Sequence, residues 1–413
     1  MSVVPITEDC LPSDCLPGQP PAASLLRSWL AVGSVAVGAF AFVTSEFLPV
    51  GLLTRIAADL GVTDGAAGQM VTIPGILGAI AAPGLTILAG RLDRKLVLCL
   101  LTTLVIISNL VVALAPNLTV LLVGRILLGI SIGGFWSFAV SLGLRLVHTS
   151  SAERATALIL TGISLGTVCG VPAGAMIGDA FGWRMAFVLT AILALVVLAV
   201  QLACLPRLPA LKQVRVGDLL ALFSIGKARL GLLTVALAIT GHFAAYTYLR
   251  PLLEDIARLD PAMITIVLVT YGLTGIFGNF FGGMLVARNV RAGMLTTVLM
   301  LATALLATAA FGHLPTATIG LVALWGLAFG AIPVSMQTWM FKAAPDALES
   351  GSALLVSTFQ ISIASGALFG GLVVDGFGVS GAMLLGGALA LLSAGVVVFL
   401  LGEPRAAVTA ASR

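Results

Sequence analysis

Twelve times along this chain a run of about twenty or more predominantly apolar residues appears, bounded by charges and turn formers. About twenty such residues cross a hydrocarbon core of roughly 30 Å, and only helices or closed barrels satisfy their backbone there. The runs fall near 29–53, 66–89, 96–115, 118–144, 155–178, 184–205, 230–253, 262–287, 292–312, 316–341, 351–374 and 380–401. Only 9% of the residues are charged, against about a quarter in soluble domains. The expected fold is therefore an all-α membrane protein of twelve transmembrane helices. No cleavable signal is read at the start, because the first run is long enough to span and many others follow. Residues 1–28 are rich in Pro and acids and are expected to be a disordered tail. Two of the five cysteines, Cys10 and Cys15, lie in that tail; Cys99, Cys169 and Cys204 are too scattered for a metal site and read as packing thiols.

The basic residues sort by side. With the N-terminus inside, one side of the membrane carries Arg27, Arg91, Arg94, Lys95, Arg145, Arg154, Arg207, Lys212, Arg215, Lys227, Arg229, Arg288, Arg291, Lys342, Arg405 and Arg413. The other carries only Arg55, Arg184, Arg250 and Arg258, with Arg125 left inside a run. That positive-inside bias is expected to place both termini in the cytoplasm. The longest polar connection, Pro206–Arg229, divides a six-helix half (29–205) from a second one (230–402), with a short cytoplasmic tail at 403–413. Its basic residues are a topology signal and not a nucleic-acid surface.

The halves repeat one another. Gly170, Gly174, Asp179, Phe181 and Gly182 recur as Gly366, Gly370, Asp375, Phe377 and Gly378, a shift of 196. At a shift of 197, Gly129, Gly133 and Arg145 meet Gly326, Gly330 and Lys342; at 200, Leu52, Leu53 and Ile56 meet Leu252, Leu253 and Ile256. Two parallel halves imply a site between them near mid-membrane, worked by alternating access.

Ionisable groups inside spans are costly and are functional candidates by default. Arg125 is the ionisable residue of the fourth run; helical spacing sets it on one face with Gly129, Gly133 and Trp136. Its competing reading is a structural counter-ion on a packing face. Loss of transport in Arg125→Ala with insertion intact is expected on the first reading, and loss of protein on the second. Glu46, in FVTSEFLPVG, is the carboxylate placed inside a span. Counting from the expected ends of their runs, both residues lie about 10–12 Å below the outer surface, so a pair or shared cavity is geometrically possible. Glu46 is the candidate proton-coupling group. His242, Tyr246 and Arg250, at i, i+4 and i+8, are expected on one face of the seventh run, with Arg250 at its outer rim. Tyr246 occupies the position of Glu46 in the repeat; His242 is a second proton carrier or interhelical glue. Asn109, Tyr271, Asn279, Gln337, Trp339 and Gln360 complete a set of amides and aromatics suited to a neutral polar or amphipathic small molecule.

No GxxxxGK[ST] phosphate loop, nucleophile elbow or His/Cys/Asp cluster is present. The chain is read as a transporter and not an enzyme, needing no cofactor and drawing on an ion gradient or on the substrate's own gradient.

These residues resemble the major facilitator superfamily over roughly 28–402, in particular its twelve-span drug:proton antiporter branch. GRILLGISIGGFWS looks like that branch's arginine-and-glycine motif, with Arg125 in the arginine position. GTVCGVPAGAMIG, holding Gly166, Gly170, Pro172 and Gly174, is similar to the fifth-span antiporter motif, a bend associated with export. TILAGRLDRKLVL departs from the family's loop motif: Thr86, Gly90 and Asp93 stand where a glycine, an acid and a glycine are usual, while Arg91, Arg94 and Lys95 persist. The latch that motif forms is then open to question, with Asp93 as a substitute acid. EFLPVGLLTRIAADLGVTDGAAGQ, IGGFWS and TYLRP look like bacterial purine ribonucleoside efflux permeases and their sugar-efflux relatives. The resemblance implies proton-coupled efflux of a purine nucleoside, sugar or drug, by a protein working as a monomer with substrate, protons and bilayer as partners. An uptake symporter is the alternative within that class. A transporter-like receptor or scaffold that moves nothing is the alternative outside it.

Overall fold

The computed structural model describes residues 25–88, 92–147, 151–209, 217, 222–345 and 348–399. Arg91, the tail with Cys10 and Cys15, the C-terminal tail and most of the linker, including Lys212 and Arg215, lie outside them.

Among the described residues, twelve helices are long and apolar enough to cross a membrane. In chain order they are α1 (Leu25–Leu60), α2 (Asp64–Leu88), α3 (Arg94–Ala113), α4 (Leu118–Leu146), α5 (Ala152–Leu165, a π turn at Gly166–Gly170, then Val171–Phe181) and α6 (Trp183–Cys204). The second half has α7 (Gly226–Tyr246), α8 (Pro261–Arg288), α9 (Val290–Phe311), α10 (Pro315–Ala343), α11 (Leu348–Phe377) and α12 (Val379–Phe399). Short polar side chains start several of them by accepting orphan backbone N–H groups: Asp93 for α3, Asn117 for α4, Asp260 for α8 and Asn289 for α9.

Two elements depart from the expected spans. α1 runs through Pro49 to Leu60, past the expected end near Leu53. The seventh run, expected as one helix to 253, instead stops at Tyr246; Leu249–Pro251 and a π turn at Leu252–Ile256 follow. Pro251 has no N–H for the Thr247 carbonyl and its ring crowds that carbonyl, so the ladder breaks there.

Lipid gives helices no hydrophobic reason to associate, so close approach of small residues does much of the packing. On α5, Gly162, Gly166, Gly170, Gly174 and Gly178 lie every fourth residue against α1, where an added Cβ would meet Ala36, Val43, Thr44, Leu48 and Leu52. The second half does the same with Gly366 and Gly370 of α11 against Thr240 and Ala244 of α7. Gly129 and Gly133 seat α4 on Pro74 and Gly78 of α2, as Gly326 and Gly330 seat α10 on Tyr271 and Gly275 of α8. α5 and α11 both end at a glycine with positive φ, +87° at Gly182 and +78° at Gly378. The repeat seen in the sequence is thus a repeat of helix contacts.

The halves meet chiefly along α2 and α11, and where α1 meets Leu249–Pro251 and α5 meets α8. Near the α1–α2 turn, Val50, Leu53, Ala67, Val71, Val171 and Ala175 of the first half join the apolar core of the second. This end of the bundle carries Asp375; the opposite end carries Asp93.

Candidate functional site: a carboxylate between the halves

Glu46 and Arg125 come together, but not as an ion pair. Arg125 is fully buried and donates from Nε to the Met70 carbonyl at 2.7 Å, and from its two terminal nitrogens to the carbonyls of Ser45 at 2.7 Å and Glu46 at 2.9 Å. Ser45 stands four residues before Pro49 and Met70 four before Pro74. A proline supplies no N–H to the carbonyl four residues back, so those two oxygens are the ones left without a ladder partner. Arg125 replaces both missing donors, and the rigid fork of a guanidinium suits two helices at once. Of the arrangements that equal depth allows, the structure shows the guanidinium facing the main chain of Glu46 and not its carboxylate. Asn109 extends the network, donating to Ser45 Oγ at 2.8 Å.

The Glu46 side chain is 3% exposed and turns to the other half, where Gln360 Nε2 of α11 donates to its Oε1 at 3.3 Å. Gln360 is itself 4% exposed. It reaches across because α2 offers no side chain at Gly78, where an added Cβ would lie 2.8 Å from its amide nitrogen.

At the matching place in the second half stands a cluster of rings. His242 stacks on Phe329 with centroids 3.8 Å apart and on Tyr246 at 5.1 Å; Tyr246 stacks on Tyr271 at 4.8 Å. Trp325 Nε1 donates to His242 Nδ1 at 2.9 Å, and Tyr271 Oη lies 3.3 Å from Nε2. An indole can only donate, so Nδ1 accepts and the proton of the neutral ring sits on Nε2, facing Tyr271. Both ring nitrogens of His242 are thus occupied, the arrangement of interhelical glue. Phe243, beside it, stacks on Phe47 of α1 at 5.6 Å, so the acid and the rings share one interface.

Arg250 does not continue the face of His242 and Tyr246, since the break at Thr247–Tyr248 redirects the chain. It is fully buried. It pairs with Asp179 at 2.6 Å and Glu254 at 2.7 Å and donates to the Gly51 carbonyl; Arg55 reaches Asp179 at 3.3 Å. Asp375, the repeat partner of Asp179, accepts from Thr63 Oγ1 at 2.9 Å and from the Gly65 N–H at 3.0 Å, capping α2 from the other half. Tyr248 passes between Gly68 and Gly371 and donates to the Ala367 carbonyl at 2.7 Å. Outside the spans, burial and then the Glu254 charge push the Asp255 carboxyl above its ordinary range. The two aspartates of the repeat thus each grip the opposite half and close the Asp375 end. Asp179, Asp375, Thr63 and Tyr248 were not among the sequence candidates, although the repeat had singled out both aspartates.

The remaining candidates lie elsewhere. Trp136 is half-buried against the core of its own half, edge-on to Phe135. Asn279 is exposed on α8, and Gln337 is half-buried on α10. Trp339 is a packing residue that donates to the Lys227 carbonyl at 3.1 Å. Gly166, Gly170 and Gly174 face α1, and buried Pro172 follows the π turn. Among the described residues, Asp93 forms no bridge between the halves. It caps α3 at Lys95 N (2.8 Å) and accepts from the Leu208 N–H at 3.0 Å, while Lys95 Nζ donates to the Leu202 carbonyl and Arg94 N to the Leu208 carbonyl. Asp93, Arg94 and Lys95 pin the start of the linker to their own half.

Two duplicated bundles of six helices, closed over a buried acid, form the scaffold of a secondary transporter. The chain matches the family model of the Major Facilitator Superfamily over residues 35–345 and again over 231–413, and it belongs to that family. It is 38% identical over 371 residues to a protein named transcription regulatory protein OpdE of Pseudomonas aeruginosa, covering 89% of this chain and 92% of that one. It is 32% identical over 370 residues to the purine ribonucleoside efflux pump NepI of Salmonella typhimurium, covering 90% and 93%. Its fold is that of a bacterial homologue of the human lysosomal transporter Spinster (TM-score 0.76, 14% identity, 91% and 97% covered). A solved structure of the nucleoside transporter NupG is similar too (TM-score 0.73, 14% identity, 89% and 98% covered). The chain is a multi-pass membrane transporter and not an enzyme.

Proposed function

We propose that this transporter exports a small organic molecule, with purine ribonucleosides the first class to test, in exchange for protons across the bacterial inner membrane. The observation that carries the reading is the placement of Glu46, a carboxylate enclosed at the interface of the halves and hydrogen-bonded across it. A group in that position feels both the proton gradient and the rearrangement that moves cargo. The basic-residue bias puts the Asp93 end and both termini in the cytoplasm, so the closed Asp375 end faces outward. The rings around His242, with Phe47 and Phe243 beside Glu46, supply flat apolar surface for a planar heterocycle. The efflux-pump relative supports the direction and the substrate class.

The test is transport by the purified protein, acting as a monomer, in liposomes with an imposed pH gradient. The wild type should move inosine or adenosine uphill, and Glu46→Gln should lose uphill movement while retaining exchange down the substrate gradient. Uphill transport by Glu46→Gln at the normal rate overturns the proton assignment. The relative named a transcription regulatory protein favours a second reading, a receptor that binds its ligand without moving it. Saturable binding in detergent with no flux in either direction would establish that instead.

A further inference from the structure

Resting on the proton-site reading of Glu46, we infer that Gln360 is the positioning residue that transmits the charge on Glu46 to the opposite half. Within the described interface, the Gln360–Glu46 hydrogen bond joins the acid of α1 to a side chain of the second half. The contact is built from both sides. Gly78 leaves the space for the amide, and the Gln360 carbonyl lies 2.7 Å from where a Cβ on Gly75 would stand, so α2 and α11 cross at this residue. Gln360 therefore sits where the halves separate if the Asp375 end opens.

An amide donor binds a carboxylate more strongly than a carboxylic acid, because the ionised acceptor strengthens the bond. Ionised Glu46 then holds α11 against α1 and α2 and keeps the Asp375 end closed. A proton on Glu46, or a substrate taking the amide, loosens that hold. An empty, deprotonated carrier is thereby kept from turning over without cargo. The other ionisable groups around the pair do not substitute for this switch. Arg125 on α4 is committed to three main-chain carbonyls. On the facing α7, His242 has both nitrogens partnered and Tyr246 lies within the ring stack. From α11 it is Gln360, an uncharged amide, that meets Glu46.

The experiment measures the opening of the Asp375 end as pH varies. Spin labels at Ala58→Cys and Ala262→Cys, both exposed on opposite halves, report the distance in the full-length protein with its native cysteines replaced. In the wild type the closed-to-open ratio should rise about tenfold from acid to alkaline buffer, the worth of one charge-assisted hydrogen bond. Gln360→Met keeps the volume and removes the donor; Gln360→Asn keeps the amide but shortens its reach. Both should flatten the response to the level of Glu46→Gln, and Gln360→Met added to Glu46→Gln should change nothing more. A wild-type pH response in folded Gln360→Met, with Glu46→Gln flat, overturns the role of Gln360 and leaves the proton site standing. A wild-type response in Glu46→Gln overturns the proton site, and the role of Gln360 with it.

Discussion

The polar centre of the first half and the ring cluster of the second occupy corresponding places in a duplicated scaffold, yet share almost no chemistry. Glu46 and Tyr246 are 200 residues apart, the same shift that relates the flanking leucines. Around Glu46 the polar groups are charged or amide: Arg125 answers the carbonyls freed by two prolines, Asn109 holds the Ser45 hydroxyl and Gln360 meets the carboxylate. Around Tyr246 the neighbours are rings, and the two hydrogen bonds of His242 join ring to ring. Duplication has kept what packs the helices, namely the glycine rows and the capping turns after Asp179 and Asp375. It has let the centre diverge into a half with a buried carboxylate and a half of stacked rings.

The largest expected effect comes from removing the guanidinium. Arg125→Met leaves the Ser45 and Met70 carbonyls without donors, at roughly 1–3 kcal/mol each. Folded yield and melting temperature should both fall sharply. Restoring the backbone N–H groups with Pro49→Ala and Pro74→Ala in the same protein should recover much of that stability. If the triple variant melts no higher than Arg125→Met alone, the prolines are not why the arginine is there.

Much of this was legible before the structure, for identifiable reasons. Apolar runs, basic-residue bias and the glycine–aspartate repeat are properties of sequence periodicity, so helix number and pseudo-symmetry followed from them. Glu46 and Arg125 stood out because charge in hydrocarbon is costly wherever it points. Direction was what the sequence withheld. Helical spacing put Arg125 on the face of Gly129 and Gly133, correctly, but could not say that its fork turns to carbonyls of α1 and α2. The prolines were the signal, since each frees the carbonyl four residues before it. His242, Tyr246 and Arg250 were read as one face because the run looked continuous; Pro251 marks where it breaks. Asp179 and Asp375 were seen as a repeat and not as a closure, because what they grip lies in the other half.

The second-largest effect tests whether the ring cluster needs its hydrogen bonds or only its rings. Trp325→Phe keeps a ring but leaves buried His242 Nδ1 without its donor, an expected cost of about 1–3 kcal/mol read as a lower melting temperature. Adding His242→Phe removes the orphaned acceptor, and the double variant should be more stable than Trp325→Phe alone. A double variant that is worse would mean that the histidine is needed for itself, and would bring the second half closer to the first in character.

A smaller effect compares the shared scaffold. Gly170 and Gly366 correspond in the repeat, but what an added methyl would meet differs. At Gly366 it meets the Thr240 carbonyl at 2.5 Å and the Ala244 nitrogen at 2.9 Å, both main chain. At Gly170 it meets chiefly the Thr44 side chain, whose hydroxyl can rotate aside. Overpacking typically costs about 1–3 kcal/mol when the neighbour cannot yield. Gly366→Ala should therefore approach that cost and Gly170→Ala fall well below it, a difference thermal melts of the two variants can resolve. Equal losses would show that the π turn beside Gly170 makes α5 as unyielding as α11.

The smallest effect falls on Tyr271. Its hydroxyl lies at the long end of hydrogen-bond distance, 3.3 Å from His242 Nε2, while its ring carries the stacking against Tyr246. Tyr271→Phe keeps the ring and should cost no more than about 1 kcal/mol of stability. If flat surface is what the second half offers a substrate, Tyr271→Phe should also leave the apparent affinity for a purine nucleoside within about threefold of the wild type. A much larger loss of affinity with unchanged melting would mean that the hydroxyl, released from His242, is itself a ligand for cargo. The ring cluster would then be a polar site in apolar dress, and the contrast between the halves one of charge alone.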